Sequence, residues 1–359
     1  MNKQFIFLLT IIIGLSVSGQ KKEKIEITKE LKTTSVKNQA MSSTCWSFAT
    51  VSFFESELLR MGKGEYDLSE MFYVRKAYPI KAYNYYHFQG NSNFGAGGQA
   101  HDVTILFKEY GAMPESAYSG LKNKENHDHL EMDDALVNIM KPVVKMSPGE
   151  AGEKWKYSLD STMDVYLGKL PQTFSYDGKN FTPQSFAASL GLDADNYVEL
   201  TSYSRHPFYK QFVLEVPDNW MFEKYYNLPV DELMSVMDNS INKGYTFCWD
   251  GDVSDETSFA YNGGVATIEN EKNKVTQEDR QKAFEDFSVT DDHLMHINGL
   301  ARSDDGGKYY LTKNSWGDKK GNKGYWFMSE NFVRLKTIAI LVHKDAIPAD
   351  IKEKLGIKH

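Results

Sequence analysis

Gln39-Ala40-Met41-Ser42-Ser43-Thr44-Cys45-Trp46-Ser47-Phe48-Ala49 is the stretch whose reading decides the rest of the chain. Ser42, Ser43 and Thr44 are all good N-cap residues, and Gly62 is a natural stop. Between them Trp46, Ala49, Phe53 and Leu58 recur at near-helical spacing. The pattern predicts a buried helix to about Met61 with Cys45 in its first turn. A helix start offers free N–H groups and a positive partial charge, which favour thiolate, the nucleophilic form, over thiol. Most free cysteines are small buried hydrophobes, so Cys45 alone does not decide the chemistry.

Two distant stretches do more. His296 opens His296-Ile297-Asn298-Gly299-Leu300-Ala301, which reads as a strand, and Asn314 opens Asn314-Ser315-Trp316-Gly317. A thiol nucleophile, an imidazole base and an amide that orients the base make a complete relay for acyl transfer. His293 is the rival base. It lies three residues from His296, so on a strand the two point to opposite faces and only one can face a cleft. His296 is preferred because it starts the apolar run.

Taken in order, Gln39, Cys45-Trp46-Ser47-Phe48-Ala49, His296 and Asn314-Ser315-Trp316-Gly317 resemble the papain superfamily of cysteine peptidases. One departure is local: the family's Cys-Gly-Ser-Cys-Trp stands here as Ser42-Ser43-Thr44-Cys45-Trp46, without the upstream disulfide cysteine. The other is spacing. Papain-like enzymes separate Cys and His by roughly 130–150 residues, whereas Cys45 and His296 are 251 apart. An insertion of that size resembles the bleomycin hydrolase and aminopeptidase C branch. Asp67-Leu68-Ser69-Glu70, Gly97-Gly98-Gln99, Tyr110-Gly111-Ala112-Met113-Pro114 and Cys248-Trp249-Asp250-Gly251-Asp252-Val253 resemble that branch too.

The resemblance implies an α+β, two-lobed papain-like fold: a helical lobe carrying Cys45, a β-barrel-like lobe carrying His296 and Asn314, and a largely helical insertion at about 120–215. It implies that Cys45 attacks a peptide carbonyl to form a thioester, with His296 holding the thiolate and Asn314 orienting the imidazole. Gln39 and the Cys45 N–H would form the oxyanion hole. Trp316 would cover the Asn314–His296 hydrogen bond at the substrate cleft, and Gly97 and Gly98 would bind an extended peptide through bare backbone. The related group forms hexamers, which makes a homo-oligomer an expectation. No cofactor is implied.

Composition agrees with an ordinary globular protein, 41% hydrophobic and 25% charged. A net charge of −8 without a basic run argues against nucleic acid as partner and leaves a peptide or protein substrate. Residues 1–19 read as a signal peptide: Lys3, an apolar run from Phe5 to Ile13, then Ser16, Ser18 and Gly19. The run is too short to span a bilayer, no other span is visible, and export to the periplasm or medium follows. Residues 20–359 then form one catalytic domain.

The remaining features are weighed in order. Cys248, the second of two cysteines, reads as packed on a buried strand at Tyr245–Trp249 rather than bonded to Cys45. Helices are expected over Tyr66–Tyr78, from His101 to Tyr110, over Asp128–Met140, Trp155–Leu167 and Pro229–Lys243, with Thr182-Pro183 starting a short one that Gly191 closes. His127 and His129 among acidic residues read as a solvated helix start rather than a metal site. Tyr197–Val216 reads as a strand pair, and Asp250–Glu256 as a surface loop. Strands are expected at His296–Ala301, Tyr309–Lys313, Gly324–Met328 and Ile338–His343. Ala346-Ile347-Pro348-Ala349-Asp350-Ile351 resembles the stretch before the tail that blocks the cleft in the bleomycin hydrolase group. The short basic sequence after it predicts a cleft open at both ends and internal cleavage of N-blocked peptides; strict aminopeptidase action is the competing expectation. A catalytically silent peptide binder and a papain-fold acyltransferase are the alternatives to a peptidase.

Overall fold

In the computed structural model, which describes residues 24–122, 125–147 and 149–358, the predicted first helix is the axis of the molecule. Helix α1 (Cys45–Arg60) is buried at every position from Cys45 to Leu58, including Ser52, Glu55 and Glu57. A helix buried all round is enclosed by other elements rather than laid on a surface. Around it stand α2 (Glu70–His87), capped by the Ser69 hydroxyl, and α3 (Ala100–Tyr110), which Gly111 ends at φ +87°. Helices α4 (Leu130–Val143), α5 (Lys154–Tyr166) and α6 (Pro183–Leu190) complete this lobe. Thr182 caps α6 with Pro183 at its first position, and Gly191 closes it in the left-handed conformation, as predicted.

The other side is a ten-stranded sheet. Its strands are β1 (Ile25–Glu30), β4 (Tyr197–Thr201), β5 (Gln211–Val213), β6 (Lys224–Asn227), β7 (Phe247–Gly251), β8 (Val265–Ala266), β9 (His293–Ser303), β10 (Lys308–Lys313), β11 (Tyr325–Ser329) and β12 (Thr337–His343). Strands β2 (Phe174–Tyr176) and β3 (Lys179–Phe181) make a separate hairpin. The main order is β5-β6-β4-β12-β7-β9-β10-β11-β8, with β1 added along β9. Helices α7 (Val230–Lys243), α8 (Gln277–Glu285), α9 (Glu330–Lys336) and α10 (Ala349–Leu355) complete the chain, and Ile351 and Leu355 of α10 pack into the same apolar cluster as α7.

Alternation along the central strands divides the core. On β7, Phe247 and Trp249 join the cluster built on α7, while Cys248 turns towards α1 with its sulfur 3.6 Å from the Thr50 hydroxyl. On β9, Met295 and Ile297 join the α7 cluster, Leu294 joins the helical cluster, and His296 turns to α1. Period-two geometry therefore gives α1 one face of β7 and β9.

Three sequence readings need correction. Strands β4 and β5 do not pair with each other: β4 lies between β12 and β6, and β5 pairs only with β6. Pro207 and the turn around it carry the chain to the far side of β6. Asp250 is not in a surface loop but lies in β7, buried, and Asp252 is buried just beyond the strand's end at Gly251. His127 and His129 are also buried: backbone bonds from Met41 to both residues dock this segment on the loop before α1. Among the described residues no group of three or more His, Cys, Asp or Glu is arranged to hold a metal ion, and no helix is long and apolar enough to cross a membrane. The signal-like residues 1–19 lie outside the described residues.

His101 at the start of α3 ties the two sides together. Its Nδ1 lies 2.6 Å from Glu199 on β4 and its Nε2 lies 3.2 Å from Asp102. Burial pulls the imidazole down, but Glu199 outweighs it and the group ends at about 9 against an ordinary 6.5. A raised folded value gives stability that is complete below about 6.5 and is lost as pH rises through about 9. The expected contribution is on the order of 3 kcal/mol. Urea denaturation at pH 6 and pH 9.5 should show that drop in the native chain and a much flatter response in His101→Ala.

Candidate active site

Cys45 is the first residue of α1, at the point where the helix meets the cleft edge of β9. The N-cap position falls on Thr44, whose hydroxyl bonds the Ser42 hydroxyl at 2.6 Å and does not cap the helix. The first-turn N–H groups thus lack a side-chain cap. Ala40 and Ser43, at φ +46° and +53°, hold this loop in left-handed backbone that non-glycine residues rarely adopt. The Leu294 backbone N–H donates to the Cys45 sulfur, so the strand residue next to His293 lies against the thiol.

The two histidines are where sequence and structure part. His293 Nε2 donates to Asn314 Oδ1 at 2.8 Å, and the Trp316 ring stacks on the His293 ring with centroids 4.7 Å apart. With Nε2 committed to Asn314, Nδ1 is the nitrogen left for the thiol. His296, the residue preferred from sequence, is fully buried, and its Nδ1 lies 2.9 Å from the Ser52 hydroxyl. Ser52 is seven residues beyond Cys45, two helical turns or about 10 Å along the axis. An imidazole bonded to Ser52 cannot also meet the Cys45 thiol. The two histidines do point to opposite faces, as argued, but His293 at the first position of β9 is the one level with the helix start.

Gln39 is tied from both sides to the residue after Asn314. Its backbone N–H donates to the Ser315 carbonyl at 2.8 Å, and its Oε1 accepts from the Ser315 hydroxyl at 2.5 Å. That leaves the amide NH2 as the free end. Ser315 was not singled out from sequence, and only its place between Asn314 and Trp316 hinted at it.

Gly97 and Gly98 border the same region, and packing explains why both are glycine. A Cβ at Gly97 would fall 2.0 Å from Asp218 Oδ2, and one at Gly98 would fall 2.4 Å from Asp102 Oδ2 and 3.1 Å from Trp46. The Gly97 carbonyl accepts from Lys81 Nζ, and the Trp46 indole N–H donates to Ala96 O at 2.9 Å.

Electrostatics here are set by burial and by acids. Burial pushes the Cys45 thiol up to about 12, opposed by the Leu294 N–H and reinforced by Asp218, Asp250 and Asp291. Burial likewise pulls His293 down to about 4, which the Asn314 bond opposes. Each group taken singly is therefore driven to its neutral form. An imidazolium near the sulfur would favour the thiolate at this helix start, because opposite charges offset each other's desolvation.

Residues 162–358, more than half of the chain, match the Peptidase C1-like family. The chain belongs to that family. His293, Asn314 and Trp316 of this C1-like chain lie within the matched span, whereas Cys45 lies before it. Aminopeptidase G of Lactobacillus delbrueckii subsp. lactis is 25% identical over 379 residues, covering 91% of this chain and 85% of its own length. Aminopeptidase C of Listeria monocytogenes serovar 1/2a is 23% identical over 372 residues, covering 90% and 83%. The crystal structure of PepW from Lactobacillus rhamnosis HN001 superposes with a TM-score of 0.76 at 18% identity, covering 92% of this chain and 84% of that one. The fold is α+β and papain-like, and the protein is a cysteine-type peptidase of the aminopeptidase C kind.

Proposed function

We propose that the chain hydrolyses peptide bonds through a Cys45–His293–Asn314 relay and a thioester acyl-enzyme. The observation that carries this reading is the hydrogen bond from His293 to Asn314 beneath Trp316, one residue from the N–H that meets the Cys45 sulfur. The proton passes from Cys45 to His293 Nδ1 and the sulfur attacks the scissile carbonyl carbon. The Cys45 N–H and the Gln39 amide NH2 receive the developing oxyanion, an interaction typically worth about 3–4 kcal/mol per donor. His293 returns its proton to the leaving amine as the carbon–nitrogen bond breaks. Water, losing a proton to the same nitrogen, then releases the acid and restores the thiol. The relatives' names, all aminopeptidases, support release of residues from the amino end.

The test is a mixed peptide pool incubated with reduced protein and read by mass. Products shortened at the amino end are expected; internal fragments would make it an endopeptidase, and amine adducts an acyltransferase. Cys45→Ala should be silent throughout. At mildly acidic pH, where an ordinary thiol is almost wholly protonated, an alkylating agent should label Cys45 well before Cys248. Cys248 is buried, and its thiol is pushed up by that burial. Equal slow labelling of both would sink the activated pair.

A further inference from the structure

Behind the relay lies a partly open cavity of about 10 Å³, bordered by Ala49, Leu294, His296, Lys313, Asn314 and Ser315. Two buried polar atoms on its walls have no hydrogen-bond partner among the described residues: His296 Nε2 and Asn314 Nδ2. Their direction can be worked out from the bonds on their other sides. Asn314 Oδ1 accepts from His293 Nε2 at 2.8 Å and from the Ser315 N–H at 2.7 Å, so Nδ2 is a donor facing away from the relay. Lys313 Nζ donates to the Thr34 hydroxyl at 3.2 Å and to the Ser52 hydroxyl at 2.9 Å. Ser52 Oγ accepts from that ammonium and keeps its own proton for His296 Nδ1, the arrangement in which all three groups are satisfied. A neutral imidazole that accepts at Nδ1 carries its proton on Nε2. His296 is kept neutral by burial first and by Lys313 second.

Two unpaired donors thus belong to residues that line one small void. A void of that size holds a single water, and buried waters typically make about three bonds to otherwise unsatisfied groups. We propose that one structural water accepts from His296 Nε2 and Asn314 Nδ2, and that His296, with Ser52 and Lys313 behind it, is a positioning residue for Asn314. The water fixes the Asn314 amide in the orientation that presents Oδ1 to His293. This role rests on the Cys45–His293–Asn314 reading above. The charged groups around His296 are Lys313 on β10, Lys37 before α1, Glu55 on α1 and Glu70 on α2.

A crystal structure of the native protein should show one ordered oxygen within hydrogen-bond distance of both atoms. Direct contact between the two side chains, or an anion in place of the water, would overturn the proposal. In kinetics, His296→Leu should lower kcat roughly tenfold, part of the 10²–10⁴ supplied by a whole general base, with KM unchanged. Because the Asn314 bond raises His293, loosening it should move the alkaline limb of the pH profile to lower pH, as Asn314→Ala should also do. His296→Gln, which can still donate into the cavity, should restore part of the rate. Adding His296→Leu to Asn314→Ala should cost nothing further. A purely structural role would lower the rate without moving the limb, and its cost would add to that of Asn314→Ala. If native protein cleaves no peptide, the peptidase reading fails while the ordered oxygen still decides the water site.

Discussion

His293→Ala is expected to lower kcat by about 10³-fold or more, the scale of losing a general base that also activates the nucleophile. His296→Ala should lose only roughly tenfold, because it acts through Asn314 rather than on the substrate. The asymmetry follows from two bonds. His293 is held to Asn314 at 2.8 Å and stacked under Trp316, whereas His296 is held to Ser52 two turns down α1. Steady-state kinetics on one fluorogenic peptide decide the matter, with circular dichroism to show that both variants fold. Loss in His296→Ala equal to that in His293→Ala would return the base to the residue the sequence favoured. Asn314→Ala should retain more rate than His293→Ala, since orientation is lost but the base remains.

Glu55→Ala is expected to cost about 3–5 kcal/mol of stability, the range for breaking a buried charge pair by removing one partner. Glu55 is fully buried in the middle of α1. One carboxylate oxygen accepts from the Leu68 N–H at 2.9 Å and from Lys37 Nζ at 3.2 Å, and the other accepts from the Thr34 hydroxyl at 2.5 Å. Alanine would leave a buried N–H and a buried hydroxyl without that acceptor and remove the carboxylate that most raises Lys313. Lys313 is already drawn down to about 8 by burial, and in the variant it should lose its proton at still lower pH. Glu55→Gln, which keeps the shape but not the charge, should fall between native and alanine. Urea midpoints for the three proteins check this. A midpoint for Glu55→Ala within experimental error of native would show that the network contributes no net stability.

Local chemistry made much of this protein legible without coordinates. Cys45 begins α1 because an apolar, helix-spaced run starts there, although the Thr44 side chain does not cap it. The Thr182-Pro183 start and Gly191 stop of α6 follow from φ preferences confined to those residues. The strands of the last third were readable because alternation is a property of neighbouring residues. What lay beyond reach depended on distances between segments far apart in the chain. Asp250 reads as an exposed acid in sequence, and only the closure of β12 and β9 on either side of β7 buries it. His293 and His296 share one strand and one alternation rule, so alternation alone does not rank them. The choice was made by where α1 crosses β9: Leu294 meets Cys45 at the helix start and His296 meets Ser52 two turns on. Sequence determined that a cysteine, a histidine from this strand and Asn314 would be available; the packing of α1 against β9 decided which histidine bonds Asn314 and which bonds Ser52, because a side chain reaches only what its position along the strand brings within a few ångströms.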